Sequence, residues 1–170
     1  MIIEHRHIKK LKEKDERSFE IVYQLTKKGV YSIAFSVVRN HMAAEDIMQD
    51  AYLKMMQNID QYQSHTNFYN WLLTLTKNLA IDHYRKEKRK TSIDVVDYEE
   101  NLKSHDDLPD EKTKVDLMLE QLSEEERLVV LLKVVDDMKY KDIALLMDKP
   151  MGTIQWIYSE AIKKLRQNEG

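Results

Sequence analysis

Cysteine is absent from this chain of 170 residues, and glycine and proline together occupy only five positions. Without cysteine the chain can form neither disulfides nor thiolate metal sites. An average composition would supply about 20 glycines and prolines, which β-sandwiches and barrels need in their many tight turns. Their scarcity therefore excludes these β folds and predicts a mostly helical protein.

Long apolar runs and catalytic motifs are missing as well. No run reaches the roughly 18 apolar residues of a membrane span, and the N-terminal stretch lacks the apolar segment of a signal peptide, so we expect a cytoplasmic protein. The six histidines are scattered, and the sequence contains no HExxH, no Gly-rich phosphate loop and no G-x-S-x-G motif. We expect no enzymatic activity, no metal, no cofactor and no small-molecule substrate.

Charge divides the chain into three parts, although the total is only −3. Residues 1–90 carry a net charge of +5, residues 91–116 carry −6, and residues 117–170 carry −2. The acidic block also holds one of the two prolines and shows no sustained helical stripe, which is typical of a linker. We therefore predict two small helical domains, residues 1–90 and 116–170, joined by an acidic linker over residues 91–115.

Apolar periodicity predicts the helices. In chain order they cover residues 15–40 with a break at Gly29, 43–58, 68–90, 116–122, a helix opened by a capping box at Ser123, 140–147 and 153–167.

The predicted helix of residues 43–58 has an apolar and a polar face. At 100° per residue the apolar face holds Ile47, Met48, Ala51, Tyr52 and Met55. The opposite face holds Asp46, Gln49, Asp50 and Lys54, with Leu53 among them. A leucine ringed by polar groups is either an ordinary lone apolar residue or the anchor of a docking surface. The two aspartates, with no histidine or third carboxylate beside them, indicate a metal or acid–base site only weakly.

The predicted helix of residues 68–90 carries an apolar stripe of Phe68, Leu72, Leu75 and Leu79 and ends in the basic run RKEKRK. Opposite the stripe lie amides, cations and a nearby indole, at Asn70, Trp71, Thr74, Lys77, Asn78, Ile81, Arg85, Lys88 and Arg89. This face is either a solvated amphipathic surface with a basic end or a nucleic-acid surface. The adjoining loop, with Tyr62, His65 and Asn67, favours nucleic acid because it could hold an unstacked base.

Residues 140–167 have the proportions of a helix-turn-helix, with Pro150 and Gly152 in the turn. The inward stripe of the last helix comprises Ile154, Tyr158, Ala161, Ile162 and Leu165. Its outward face comprises Gln155, Trp156, Ser159, Glu160 and Lys163. An outward tryptophan invites a partner surface, although it could also pack on the preceding helices.

Taken in order, these segments resemble a known family. AEDIMQDAYLKM (44–55) is similar to the family's AED-x-x-Q-[DE] helix, and FYNWLLTLTKNLAIDHYRKEKRK (68–90) to its F-x-x-W-L-x-x-I-x-x-N-x-x-x-D-x-x-R helix. LSEEERLVVLL, YKDIALLM and PMGTI resemble the start, scaffold helix and turn of its fourth region. The chain thus resembles an extracytoplasmic-function (ECF) sigma factor, the minimal two-domain form of the sigma-70 family of bacterial RNA polymerase.

The resemblance implies an all-α protein with a sigma-2 helical bundle and a sigma-4 helix-turn-helix, which directs core RNA polymerase to promoters for transcription initiation. The polymerase β′ clamp would bind Asp46, Gln49, Asp50, Leu53 and Lys54. The loop of residues 61–67 would capture a flipped base of the minus-ten element. Melted DNA would be held by Tyr62, His65, Asn67, Asn70, Trp71, Thr74, Asn78, Arg85, Lys86, Lys88 and Arg89. Sigma-4 would bind the β flap and read the minus-thirty-five duplex with Thr153, Gln155, Trp156, Ser159 and Lys163. The acidic linker would thread toward the polymerase active-site channel, and an anti-sigma factor is an expected partner.

The recognition helix departs from the family pattern. The family usually has G-T-V-K-S-R-L-x-R-A, whereas Gln155, Trp156, Ile157 and Glu160 stand here at the Lys, Ser and two Arg positions. Three lost cations and one added anion weaken phosphate attraction. We expect atypical upstream binding, through thymine-methyl contact by Trp156, weak duplex affinity or a protein partner. The alternative functions are a helix-turn-helix regulator or a sigma-like adaptor that does not itself initiate transcription.

Overall fold

The computed structural model describes residues 3–63, 66–93 and 113–167. Within these ranges the chain forms eight α-helices, one 3-10 turn and no strand, which confirms the all-α prediction. The helices are α1 (His5–Lys12), α2 (Glu16–Val38), α3 (His41–Asn58), α4 (Phe68–Ile93), α5 (Lys114–Glu120), α6 (Glu124–Val134), α7 (Tyr140–Met147) and α8 (Met151–Gln167), and the 3-10 turn is Ile59–Gln61. None of the described helices is long and apolar enough to cross a membrane.

Helix α2 is continuous, so the predicted break at Gly29 is wrong. Asp15 caps the helix, with its carboxylate accepting a hydrogen bond from the Ser18 N–H at 2.8 Å. Gly29 lies in the middle of the helix, where the Tyr69 hydroxyl and the Asp136 carboxylate occupy the space that a Cβ would need. A Cβ at this position would collide with Tyr69, so the glycine permits close packing rather than a bend.

The buried stripe of α4 is offset from the predicted one. Phe68 and Leu72 are buried as predicted, but Leu75 and Leu79 are only half-buried. The rest of the buried surface is formed by Tyr69, Leu73, Thr76 and Ala80. Because α4 contacts α2, α3 and α7, its buried arc is wider than one stripe and turned toward these helices. Leu75 and Leu79 are left beside the outer polar face.

The C-terminal helices follow the predicted pattern closely. Ser123 and Glu126 form the predicted capping box at the start of α6. Helix α8 starts at Met151, two residues earlier than predicted, and buries Ile154, Ile157 and Ala161. Ile157 is therefore a core residue, although the predicted inward stripe left it out.

The N-terminal unit (α1–α4) and the C-terminal unit (α5–α8) share one core, in which α6 packs against α2 and α7 against α4. Arg127 of α6 is 2% exposed and donates to the carbonyls of Leu119, Leu122 and Ser36, at 2.9, 2.7 and 2.6 Å. The Ser36 carbonyl belongs to α2, so this guanidinium joins the two units. Burial lowers the pKa of Arg127.

Two further polar contacts connect the units. His41 Nε2 lies 3.1 Å from the Asp116 carboxylate, and the Tyr69 hydroxyl donates to Asp136. Burial raises the pKa of Tyr69 and of Asp136. The predicted domain boundaries at 90–91 and 115–116 stay a prediction, because most of the acidic linker lies outside the described residues.

Helix α1 was not predicted from the sequence. It buries Ile8 and Leu11 against α2 and the 3-10 turn. Its eight residues give only these two apolar positions, too few to distinguish a helix from an irregular charged segment.

Candidate nucleic-acid interface

The outer face of α3 is an exposed polar surface with one leucine at its centre. The apolar arc of this helix is buried as predicted, and Leu53 on the opposite side is 62% exposed. The exposed residues around it are Asp46, Gln49, Asp50 and Lys54. All five residues that the family resemblance assigned to polymerase binding therefore share one accessible face.

An apolar groove of about 430 Å³ runs beside Leu53, between α2 and α3. Its lining residues are Phe19, Tyr23, Gln49, Tyr52, Leu53 and Met56. Tyr52 closes the bottom of the groove: its hydroxyl is 2.8 Å from the Thr26 hydroxyl, and burial raises its pKa so that it stays neutral. An exposed leucine next to an apolar groove with a polar rim can accept apolar side chains from a partner protein.

A second groove, of about 370 Å³, lies between the C-terminal end of α3 and the outer face of α4. Its lining residues are Lys54, Asn58, Gln61, Trp71, Thr74, Leu75, Asn78, Leu79 and Asp82. Side-chain amides can pair with a base edge, an indole offers a stacking face, and the two leucines form an apolar floor. The groove therefore has the chemistry to hold an unstacked base.

The start of α4 leads into the helix face that lines this groove. Asn67 caps the helix, with its Oδ1 accepting from the Asn70 N–H at 3.1 Å. The Asn70 side-chain Oδ1 is itself buried and has no hydrogen-bond partner among the described residues. Thr74 and Asn78 follow on the same face and are exposed.

Tyr62 is 4% exposed, so its ring does not offer a stacking face to a base. The ring packs against Phe68 and Trp71, with centroids 5.2 and 5.4 Å away. Its hydroxyl donates to the Thr66 carbonyl, which fixes the end of the loop. The Tyr62 side chain therefore has a structural role in the core beside the loop. His65 lies outside the described residues.

The C-terminal part of α4 is strongly basic. Residues 85–90 hold five Lys/Arg and one Glu, and Arg85, Lys86, Lys88 and Arg89 are all exposed. Arg89 Nε donates to the Arg85 carbonyl at 3.3 Å, and Lys90 pairs with Glu87 at 2.8 Å. This density of exposed cations attracts phosphates.

The outer face of α8 is different. Gln155, Trp156 and Ser159 are exposed, with Trp156 at 64%, and Thr153 is half-buried. The cations near this face are engaged: Lys163 pairs with Glu160 at 2.6 Å, and Lys164 pairs with Glu126 at 2.6 Å. Burial acts to raise the pKa of Glu126, but its hydrogen bonds from Lys164 and Ser123 hold that pKa below the usual range.

Of the nine lining residues of the second groove, the sequence analysis named Trp71, Thr74 and Asn78 as DNA-binding. It assigned Lys54 to polymerase binding and Leu75 and Leu79 to the apolar stripe, and it did not name Asn58, Gln61 or Asp82, although Gln61 falls in the predicted loop of residues 61–67. Asn58 and Gln61 belong to α3 and the 3-10 turn, so only the packing of these elements on α4 shows that they face the same space. The amide residues near the predicted loop were the one sequence signal for them.

Comparison with known proteins shows which family the two helical units match. Residues 22–90 match the family model of Sigma-70 region 2, and residues 112–165 match that of Sigma-70, region 4. The ECF RNA polymerase sigma factor SigW of Bacillus subtilis (strain 168) is 29% identical over 91% of this chain and 90% of its own length. The ECF RNA polymerase sigma-E factor of Escherichia coli (strain K12) is 24% identical over 87% of this chain and 84% of its own length.

A solved structure has the same overall shape. The sigma factor RpoE, determined in complex with the anti-sigma factor NepR from Bartonella quintana, superposes with a TM-score of 0.68 at 25% identity, over 89% of this chain and 96% of its own. CnrH, in complex with the cytosolic domain of CnrY, shares the fold with a TM-score of 0.67 at 16% identity. With regions 2 and 4 both matched in order over most of its length, the chain belongs to the sigma-70 family as an extracytoplasmic-function sigma factor.

Proposed function

We propose that this chain directs core RNA polymerase to specific promoters and stabilises the melted minus-ten strand during transcription initiation. The observation that carries the proposal is that one helical unit presents both an apolar docking groove on α3 and an amide-lined groove with a basic extension on α4. A factor that only binds duplex DNA needs neither of these surfaces.

The α3 face is the polymerase-binding surface in this proposal. Leu53 inserts into the β′ clamp, and the rim residues Asp46, Gln49, Asp50 and Lys54 fix the register of docking. A central apolar anchor with a polar rim is typical of the few residues that dominate binding free energy at protein interfaces.

The α4 groove is the minus-ten site. A flipped base enters between Trp71 and the amides of Asn58 and Asn78, and Asn67 and Asn70 hold the entry. Arg85, Lys86, Lys88 and Arg89 neutralise the backbone phosphates of the strand. Holding the unpaired strand offsets the few kcal/mol per base that unstacking costs.

The C-terminal unit binds the β flap and the minus-thirty-five duplex, with Thr153, Gln155, Trp156, Ser159 and Lys163 toward DNA. Because the first three turns of α8 carry no Lys or Arg, this contact depends little on phosphates. Trp156 instead offers an apolar surface that suits thymine methyl groups.

An anti-sigma factor is the expected regulatory partner. The sigma factor RpoE was determined in complex with the anti-sigma factor NepR, and CnrH, which has the same fold, in complex with the cytosolic domain of CnrY. The chain itself carries out no catalysis in this proposal: the polymerase makes the RNA. It acts in the cytoplasm, where the polymerase works.

Run-off transcription with purified core polymerase and promoter fragments selected from the source genome tests the proposal. We expect transcripts whose start depends on this chain, and no transcripts with the Leu53→Asp variant. A helix-turn-helix regulator or a sigma-like adaptor would give no chain-dependent initiation on any promoter. The altered recognition helix of this chain keeps the sigma-like adaptor as an alternative. Such an adaptor would still bind core polymerase but would not start transcription.

A further inference from the structure

His41, the first residue of α3, lies where the two helical units meet, and the proposed function does not use it. Its Nε2 is 3.1 Å from the carboxylate of Asp116 on α5, and its Nδ1 is hydrogen-bonded to the hydroxyl of Tyr31 on α2. The ring stacks on Phe35, with centroids 4.7 Å apart. One partly exposed imidazole therefore joins α2 and α3 of the N-terminal unit to α5 of the C-terminal unit.

Asp116 is fixed in position for this contact. Its carboxylate accepts hydrogen bonds from the N–H and the hydroxyl of Thr113, at 2.9 and 2.7 Å, in the capping box that starts α5. Burial acts to raise the pKa of Asp116, but the hydrogen bonds from Thr113 and His41 hold that pKa below its usual range. The carboxylate therefore stays charged at every pH at which an imidazole changes its charge.

The contact can form in both protonation states of His41, but its strength differs. A neutral ring donates from Nε2 to Asp116 and accepts from the Tyr31 hydroxyl at Nδ1, whereas a protonated ring donates from both nitrogens and the hydroxyl accepts. Protonation makes the bond to Asp116 charge-assisted, and such bonds are roughly twice as strong as neutral ones. A lower pH therefore strengthens the contact between the two units.

Other charges near the ring act in both directions. Arg39, at the end of α2, and the N-terminal end of α3 itself disfavour a charged ring. Glu45, four residues along α3, and Glu120, four residues after Asp116 on α5, favour it. Among the residues that the structure describes, only Asp116 forms an ion pair with His41. The response of the ring to pH is therefore linked most directly to the contact with α5.

The arrangement that this contact supports is too compact to reach both promoter elements. We call it the closed form, in which α6 packs on α2 and α7 on α4. The minus-ten and minus-thirty-five elements are about 25 base pairs apart, or roughly 85 Å at about 3.4 Å per base pair. A compact chain of 170 residues has a radius of gyration of about 16 Å and hence a diameter of about 40 Å. The stretch between Ile93 and Thr113 can span about 65 Å at full extension, which allows the units to separate.

We infer that His41 is a proton-sensitive latch between the two units, and that its protonation favours the closed form over the separated form that binds polymerase and promoter. The inference rests on the proposed function, which requires the units to separate. A partner that binds only the separated form has an apparent affinity proportional to the population of that form. Acidification should therefore lower the apparent affinity of the chain for core polymerase.

Hydrogen exchange of the full chain without polymerase tests the latch. The amide protection of residues 114–122, corrected for the intrinsic exchange rate at each pH, reports how often α5 is released. For the native chain we expect this protection to rise about two- to fivefold between about pH 8 and about pH 5.5, as for one partly exposed ion pair. His41→Gln should lose most of this rise, and the remainder should come from Asp136 at the other contact between the units.

Core polymerase binding tests the consequence over the same pH range. Relative to His41→Gln, the native chain should lose affinity by about the same factor as its protection rises. Asp116→Asn should behave like His41→Gln, and the double variant should show no further change. His5→Gln is the matched control, because it removes an exposed imidazole from α1, and it should keep the native pH response.

A native chain whose α5 protection is the same at both pH values overturns the inference. So does an Asp116→Asn variant with the native pH response, because another group would then respond to the proton. Protection that follows pH while the affinity of native chain and His41→Gln changes equally also overturns it. If protection responds as expected but the chain does not bind core polymerase at any pH, the proposed function fails instead, and the two failures are thereby distinguished.

Discussion

The end of α4 and the start of α8 are both outward helical surfaces assigned to DNA, and they differ in charge. Residues 85–90 carry a net charge of +4, whereas residues 151–161 carry −1 with no cation at all. The nearest lysines on α8 are engaged with glutamates. We therefore expect long-range attraction of DNA to be concentrated in region 2, at the proposed site for the melted strand.

Helix α8 also lacks a cation at a position that faces the core. Ile157 occupies a position where the family usually has arginine, and it is 6% exposed against the core. Restoring a cation there would require the helix to repack. Ile157 therefore contributes to the core in this chain, and Trp156 is the largest exposed side chain on the described part of α8.

We expect the largest effect at Leu53, where a substitution tests whether region 2 also binds core polymerase. Leu53→Asp should weaken core polymerase binding about hundredfold or more, because losing a central anchor costs more than about 2 kcal/mol and a carboxylate would have to enter an apolar site. The fold should stay intact, since Leu53 is 62% exposed. Binding of fluorescently labelled chain to core polymerase measures this.

Leu25→Asp is the matched control for that substitution. Leu25 is 42% exposed on α2 and lines neither groove, so the same chemical change is made in the same helical unit but away from the α3 face. Its affinity for core polymerase should stay within a few-fold of the native value. Equal losses in the two variants would contradict the assignment of the α3 face.

The sequence was sufficient to predict helix boundaries and faces that depend on capping residues and on apolar periodicity. Ser123 with Glu126 predicted the start of α6, and the apolar arc of α3 left Leu53 outside. The predicted break at Gly29 was wrong because that glycine responds to a tertiary contact with Tyr69, which no local pattern encodes. The offset of the α4 stripe has the same origin.

The candidate site was less accessible to sequence reasoning. Exposed cations and amides on α4 can be read from one helical wheel, because a single element carries them. Asn58 and Gln61 come from other elements and join the groove only through packing. For Tyr62, the aromatic character predicted stacking, but the sequence does not say whether the ring faces a base or the core.

Removing the Arg127 guanidinium should weaken the contact between the two regions and destabilise the fold. Arg127→Met should lower the free energy of unfolding by about 3 kcal/mol, because three buried carbonyls lose a charged donor. Urea denaturation measures the loss. Arg39→Met is the control, since Arg39 is exposed, and a similar loss in both variants would contradict the role of Arg127.

We expect a smaller effect when the outer face of α8 is given positive charge like that at the end of α4. The double variant Gln155→Lys, Glu160→Gln adds one cation and releases Lys163 from its ion pair. Each additional phosphate contact to a duplex steepens the log–log salt slope by about 0.9, so we expect a steepening of about 1 to 2. Binding of the holoenzyme to duplex carrying the upstream element, measured at several salt concentrations, would show it.

The control for that variant is the same titration with single-stranded minus-ten DNA, which should not respond. If duplex binding also stays unchanged, α8 does not contact DNA phosphates even when charge is supplied. A protein partner for the Trp156 face would then be favoured over duplex recognition.

The smallest expected effect concerns the polar contact that joins the regions. Burial raises the pKa of Asp136, against the lowering effects of the Tyr69 hydroxyl and Lys28. A carboxyl with a raised pKa holds its proton more tightly in the folded state. Its contribution to stability is therefore complete below the ordinary carboxyl pKa of about 4 and is lost as pH rises through the folded-state pKa.

Asp136→Asn removes that titration while leaving an amide that can still bond to Tyr69. The free energy of unfolding of this variant relative to the native chain should therefore increase as pH rises from about 4 toward neutrality. Asp60→Asn, at an exposed carboxyl of the 3-10 turn away from this contact, is the control and should show no such rise. Thermal unfolding across this pH range measures both differences, and a gap for Asp136→Asn that is constant with pH would mean that the buried carboxyl does not weaken the contact between the regions when it ionises.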